Sequence, residues 1–458
     1  MRTVPAHWAV RLALLVMALL ATPITAQSQD LAGTQSQDLA GRIRELLGGG
    51  GTSNMPLQEL DLNALSIFYG AQLYQPVWTG NQAAQANASL ALSALEHSGE
   101  DGLQSDRYHL SELDLRRRAD TMQAAAEYEL FLTDAMLRYA RDLRQGRPGL
   151  REIDDDVGFP TEYFDAAGSL DQALRANRLN DFLASLPPPH PEYQYLKAAL
   201  AQYRAAGADV HVQTIIANME RWRWVPRTFG PRYVSVNAAG ATLEAVDNGN
   251  IILTSPVIVG RPDNRTPLFS TTAVSLTINP SWHVPTPIVR REIMPHLRAN
   301  PGYLARKHMV WSEGGGVRQL PGAGNALGVL KFEMPNEFDA YLHDTPQHSL
   351  FAKADRHLSH GCIRVGKILQ LGSFALTDDP DAGLDRIHSL IITHATRTIS
   401  LDEPLPVFVL YRTAIADADG AVNFLPDVYG RDQRLLSALA VQRLSNRVTM
   451  NVGVTSQN

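Results

Sequence analysis

Apolar positions change their rhythm near residue 210. Before it, from about Leu57 to Ala206, they recur mainly at three- and four-residue steps, which places side chains on one face of a helix. Tyr128, Phe131, Leu132, Ala135, Met136, Tyr139 and Leu143 form one such stripe, and Gly146-Arg147-Pro148 stops that helix. An alanine-rich helix is expected over residues 83–95, and Pro187-Pro188-Pro189 breaks a segment that resumes at Tyr193. After Val210, short runs rich in β-branched residues take over at 233–236, 251–253, 257–259 and 274–278, separated by turns such as Asn248-Gly249-Asn250. Between Pro285 and Pro321 that signal lapses, and so long an excursion inside a β domain is expected to be a lid or cap. A turn at 417–420 and a helix from Asp432 to Leu444 close the pattern. The expected fold class is α+β and multidomain: a helical scaffold domain over 56–206, a β-rich domain over 210–415 with its cap at about 285–321, and a C-terminal tail over 416–458.

Composition narrows the class. The 458 residues are 45% hydrophobic and 19% charged, the balance of a globular protein. A net charge of −6 without a stripe of Lys and Arg argues against a nucleic-acid partner. Arg2 and Arg11, the apolar run from Leu12 to Ala21 and the small-residue site ending at Ala26 read as a signal peptide over 1–26. No later segment is apolar for long enough to span a bilayer, so none is expected after signal cleavage. Residues 27–55 carry a duplicated unit, Gln27-Ser28-Gln29-Asp30-Leu31-Ala32-Gly33 and Gln35-Ser36-Gln37-Asp38-Leu39-Ala40-Gly41, then a glycine run, and read as a flexible linker.

Export makes the cysteine count informative. The single cysteine, Cys362, can form no internal disulfide, and a lone thiol in an oxidising compartment is a liability that suggests a use. It sits in Ser359-His360-Gly361-Cys362-Ile363-Arg364, downstream of Tyr341-Leu342-His343-Asp344. A thiol attacks acyl carbon as the thiolate, so it needs a base such as His343 and a thiolate–imidazolium pair. Gly361 lets the backbone bend so that amides can face a developing oxyanion. Arg364 shares the sulfur's face if the segment is extended, and either favours the thiolate and binds a substrate carboxylate or makes a surface ion pair. Asp344, next to His343 on a strand, faces the other way and is expected to serve structure. Trp222, Trp224 and Trp282 are expected in the core rather than in a groove. His357, His360 and Cys362 could be read as a metal site, but a structural zinc wants a fourth ligand and no second cysteine exists.

His343 followed by Ser-His-Gly-Cys-Ile-Arg resembles the active-site signature of the L,D-transpeptidase (YkuD-type) catalytic domain. Outlying segments resemble its larger, YcbB-like Gram-negative subgroup: 218–224, 279–285, 318–322, 325–328, Lys331-Phe332, Pro335-Asn336, 342–346 and 427–432. A weaker echo of that subgroup's scaffold runs through Phe68-Tyr69, Trp78, Asp101-Gly102-Leu103 and Tyr108-His109. One module is missing: Tyr203-Arg204 runs almost directly into Val210, leaving no room for the inserted peptidoglycan-binding domain. The resemblance implies a periplasmic enzyme in which Cys362 is the nucleophile and His343 its base. Backbone amides at His360, Gly361 and Cys362 would form the oxyanion hole, with Ser359 and Arg364 as site support. Its partners would be peptidoglycan stem peptides, a tetrapeptide donor and the diaminopimelate amine of an acceptor, joined in a 3→3 cross-link, with other periplasmic cell-wall enzymes nearby. No metal, ATP or other cofactor is implied. An L,D-carboxypeptidase or endopeptidase, a D-amino-acid exchanger and a non-catalytic wall scaffold are the alternatives.

Overall fold

The computed structural model describes residues 24–49, 59–376 and 379–442, with side chains from Ser36 onward. The expected signal peptide lies almost wholly outside these residues, as does everything after Gln442. Two compact units result: one takes in the chain up to Glu96 with Tyr108–Arg138 and Ala166–Phe182, the other His97–Arg107, Tyr139–Asp165 and the chain from Leu183 onward.

The first unit is helical. Part of the stretch expected to be a linker is instead the helix Ile24–Leu47, and its Leu39, Ile43 and Leu46 are buried. Those three residues keep the three- and four-residue step of an amphipathic face, which the Gln-, Ser- and Gly-rich surroundings mask in the composition. Helices Leu62–Gly70, Gln82–Glu96 and Leu110–Arg117 follow. A buried carboxylate knots this unit: Glu129 accepts the N–H groups of Val77, Trp78 and Thr79 and the hydroxyls of Tyr69 and Thr79, all at 2.7–3.0 Å. The chain at 77–79 is not helical, so its amides need an outside acceptor, and Glu129 supplies it.

The second unit is built around a barrel. Its strands are β1 (Arg232–Asn237), β2 (Thr242–Asp247), β3 (Asn250–Gly260), β4 (Leu268–Ile278), β5 (Leu330–Glu333), β6 (Leu342–His343), β7 (Ile363–Val365) and β8 (Arg397–Leu410). Pairing runs β1-β2-β3-β7-β6-β5-β4-β8 and β8 returns to β1, so eight strands among the described residues close into a ring. Only β6–β7 and β8–β1 are parallel within that ring. Closure leaves the barrel strands no free edge. Alternation does the sorting: Leu330, Phe332, Leu342, Ile363 and Val365 enter the apolar core, while Lys331, Glu333, His343 and Arg364 point the other way. Strand β8 was not visible in the sequence, because Pro404 and Pro406 argue against a strand; its register with β4 shifts between Ser400 and Leu405, which accommodates Pro404, while Pro406 stays in register opposite Thr272.

Helices Pro191–Ala205 and Asp209–Trp222 are separated only by Ala206, Gly207 and Ala208, so no further module lies between them. Both share a second core with Trp224, Phe408, Tyr411, Tyr429, Leu435 and Leu439. The expected tail is therefore integrated as far as it is described, with a hairpin of Ala414–Ala416 and Val422–Phe424 and a helix over 431–442. The cap is present and begins three residues before Pro285. Trp282–His283, Met309–Trp311 and Val317–Gln319 form a small sheet, and Val284, Ile293, Leu304, Met309 and Val317 give the cap its own core. Among the described residues, no helix is long and apolar enough to cross a membrane.

Candidate active site

The signature residues meet on the outer face of the barrel. In the parallel pair β6–β7, Leu342 is opposite Ile363 and His343 opposite Arg364. The Ile363 N–H donates to the Tyr341 carbonyl at 3.0 Å, which places Tyr341 beside Cys362 one step before the strand. With Leu342 and Ile363 turned inward, Tyr341, His343 and Cys362 share the opposite face, and His343 stands diagonal to the sulfur. On the other side of β6, Lys331 is opposite His343 and its ammonium lies 4.4 Å from the centre of the Tyr341 ring.

The loop carrying Cys362 is tightly closed. The Ser359 hydroxyl donates to the Cys362 carbonyl at 2.6 Å and accepts the Gly361 N–H at 3.2 Å. Gly361 has φ +118°, a conformation that a side chain would oppose. The Gly361 amide, expected among the oxyanion donors, here donates to Ser359. The amides of His360 and Cys362 have no acceptor among the described residues. The His360 ring leads away from the sulfur to the cap, 2.6 Å from the Glu292 carboxylate and 3.2 Å from the Arg261 guanidinium. His360 is therefore placed as a tie between loop and cap rather than as a base.

His343 is buried and its Nδ1 lies 2.5 Å from the Asp344 carbonyl oxygen. A carbonyl can only accept, so Nδ1 carries the proton and Nε2 keeps its lone pair. The Asp344 carboxylate is occupied elsewhere, accepting the Val329 N–H at 2.9 Å, as the strand alternation required. Burial, then the nearby Arg364 charge, push the His343 pKa down to about 3. Cys362 is half-buried, and desolvation pushes its thiol pKa up, against the opposing pull of the Tyr341 N–H and hydroxyl and of Lys331 and Arg364. Its proton has the Asp339 carbonyl as acceptor at 3.8 Å. Burial thus works against both members of the thiolate–imidazolium pair expected from the sequence, while Tyr341, Lys331 and Arg364 work for the thiolate.

One group, Tyr341, was given no role from the sequence, and Trp282 was expected in the core. Burial, and then the neighbouring Cys362, raise the pKa of the Tyr341 hydroxyl, against an opposing pull from the Trp282 indole N–H. Trp222 and Trp224 are core, as expected, but Trp282 is only half-buried and belongs to the cap. The period of two from His343 back to Tyr341 was the available signal. Arg364 makes no ion pair among the described residues; its Nη1 donates to the Gln347 side-chain oxygen at 3.3 Å. Of the two readings of Arg364, this leaves the cation open to a carboxylate. No group of three or more His, Cys, Asp and Glu residues fit to hold a metal occurs among the described residues; His357 is spent on Asp355 and the Ala238 carbonyl.

Comparison with known proteins gives this geometry a context. Residues 63–200 match the model of a scaffold domain, and residues 231–380 that of the L,D-transpeptidase catalytic domain. A Haemophilus influenzae protein provisionally named an L,D-transpeptidase is 27% identical over 401 residues, covering 81% of this chain and 78% of that protein. Among solved structures, an L,D-transpeptidase from Mycobacterium smegmatis is 14% identical over 39% of this chain and 58% of that one, with a TM-score of 0.22. L,D-transpeptidase 3 from Mycobacterium tuberculosis is likewise 14% identical, over 39% and 60%, with a TM-score of 0.21. The chain thus spans about three fifths of those solved proteins.

Proposed function

Given an L,D-transpeptidase catalytic domain over residues 231–380 preceded by a scaffold domain, we propose that this chain is an exported cysteine acyltransferase that forms 3→3 cross-links between peptidoglycan stems. The observation that carries the reading is the shared outer face of Tyr341, His343 and Cys362 beside the cap, with the His343 Nε2 lone pair left free by the Nδ1–Asp344 hydrogen bond. A signal peptide over 1–26 would supply the periplasmic location, with the scaffold domain at 56–206 and the catalytic domain at 210–415 as part of the same proposal.

In this reading the donor is a tetrapeptide stem whose terminal D-Ala leaves. The sulfur attacks the carbonyl of the third residue as the thiol proton passes to His343 Nε2. His343 need hold that proton only until the leaving group takes it. The oxyanion forms against free amides at the loop. Collapse expels D-Ala, which takes the proton from His343 and leaves a thioester on Cys362. The side-chain amine of an acceptor stem then attacks the thioester, giving its proton to His343, and the proton returns to the sulfur as the new amide is released. Arg364, without a carboxylate of its own, is suited to hold a stem carboxylate. The thioester conserves the energy of the cleaved peptide bond, so the scheme calls for no ATP.

The test is reaction of purified protein with tetrapeptide muropeptides, read by mass spectrometry. A 3→3 dimer plus free D-Ala, absent with Cys362→Ala, is the expected result. Tripeptide without dimer would instead assign an L,D-carboxypeptidase, and undiminished dimer from Cys362→Ala would overturn the mechanism.

A further inference from the structure

Each peptide unit around Cys362 is tied at one end, and one tie comes from far away in the sequence. The unit before Gly361 is held through its N–H on Ser359, and the unit after Cys362 through both the Cys362 carbonyl on Ser359 and the Ile363 N–H on Tyr341. Between them lies the Gly361–Cys362 peptide. Its carbonyl oxygen accepts the hydroxyl of Thr266 at 2.8 Å. A trans peptide is planar, with its C=O and N–H pointing in opposite directions. Fixing the Gly361 oxygen on Thr266 therefore aims the Cys362 N–H away from it, and that N–H has no acceptor among the described residues.

Thr266 is itself immobilised. It is fully buried, and its hydroxyl, having donated to Gly361, accepts the Gly260 N–H at 2.8 Å, so the donor direction is dictated. Gly260 permits the fold-back: a Cβ there would lie 2.1 Å from the Asn264 carbonyl oxygen. The turn is clamped from the C-terminal segment. Tyr429 donates its hydroxyl to the Gly260 carbonyl at 2.6 Å and accepts the Thr266 N–H at 3.4 Å, and buried Arg431 bonds Asp156 and Asp154 while reaching the Thr266 carbonyl at 3.4 Å. This gives a role to the segment 427–432, which resembled the family without an assigned task.

We infer that Thr266 is the positioning residue of the oxyanion hole: through the Gly361 carbonyl it orients the Cys362 N–H toward the tetrahedral oxyanion. The inference rests on Cys362 acting as an acyl acceptor, and it makes a distinction that a merely structural residue would not. Acylation builds an oxyanion, whereas alkylation of the same sulfur does not.

The experiment compares wild type, Thr266→Val and Thr266→Ser with two probes of Cys362. With p-nitrophenyl acetate, an S–C bond forms, p-nitrophenolate leaves and the thiol proton is released to solvent; with iodoacetamide, sulfur displaces iodide. Expected is a fall of about ten- to hundred-fold in the acetylation rate of Thr266→Val, somewhat less than loss of a whole oxyanion donor. Iodoacetamide alkylation should stay within about two-fold, and Thr266→Ser should recover most of the acetylation rate. Tyr429→Phe, which loosens the clamp without touching the hydroxyl, should fall between. Equal slowing of both probes, or acetylation unchanged in Thr266→Val, would overturn the inference. Since neither probe is a wall peptide, a wild-type protein that acetylates normally but ignores muropeptides would refute the proposed substrate and leave the test of Thr266 intact.

Discussion

His343 takes its orientation from the main chain of Asp344 and not from that residue's carboxylate: Nδ1 bonds the Asp344 carbonyl at 2.5 Å while the carboxylate holds the Val329 amide. The two neighbours look like part of a Cys-His-Asp triad in the sequence, yet the side chains serve different ends. Asp344→Asn should therefore keep the His343 tautomer and stay within about tenfold of wild-type kcat/KM, whereas a carboxylate that selected the tautomer would cost roughly 10⁴. Steady-state kinetics on the variant decide between them.

The pH dependence follows from the depressed imidazole. Unfolded, His343 binds a proton below its ordinary value of 6.5; folded, it does so only near 3. Acid between those values favours the unfolded chain, so this contribution to stability is complete above pH 6.5 and is lost as pH falls, at about 1.4 kcal/mol per pH unit at most. His190, pushed down to about 4 by burial, acts in the same direction. Denaturant titrations from pH 7 to 4 should show a shallower decline for His343→Gln. For the same reason the acylation rate should show no inflection near pH 6.5.

Tyr341→Phe removes a hydroxyl that favours the thiolate and leaves the Trp282 N–H without that acceptor. Loss of a hydrogen bond to a charged group, about 1.5–3 kcal/mol, should raise the thiol pKa further. The check is the pH profile of iodoacetamide alkylation, which should shift to higher pH in the variant.

In the helical unit, Glu129→Ala strands three main-chain N–H groups and the Tyr69 and Thr79 hydroxyls of their common acceptor. A loss of about 3 kcal/mol or more is expected, measured as a shift in the denaturation midpoint of that unit.

How far the sequence could be read follows from where the information lay. The alternation Ile363-Arg364-Val365 and the signature around Cys362 are local, so the site's face and its main residues were legible. The His343 tautomer was not, because it depends on a carbonyl, which every residue carries. Thr266 was invisible for a different reason: an ordinary Thr-Pro pair becomes significant only when the turn after β3 brings it against Gly361. The helix Ile24–Leu47 was hidden by polar repeats around three apolar residues, and β8 by its two prolines.

The tie between His360 and Glu292 joins the nucleophile loop to the cap at 2.6 Å. If the cap covers the donor stem as proposed, Glu292→Ala should raise KM for it several-fold with little change in kcat. A fall in kcat at constant KM would place His360 in the chemistry instead.

In the proposed reaction Cys362 carries the acyl group. Intact-protein and peptide mass spectrometry after brief incubation with a tetrapeptide donor alone tests it most directly. The expected result is an adduct on Cys362 with the mass of the donor less D-Ala, cleared when an acceptor amine is added. Release of D-Ala with Cys362 unmodified throughout, and with Cys362→Ala equally active, would contradict it.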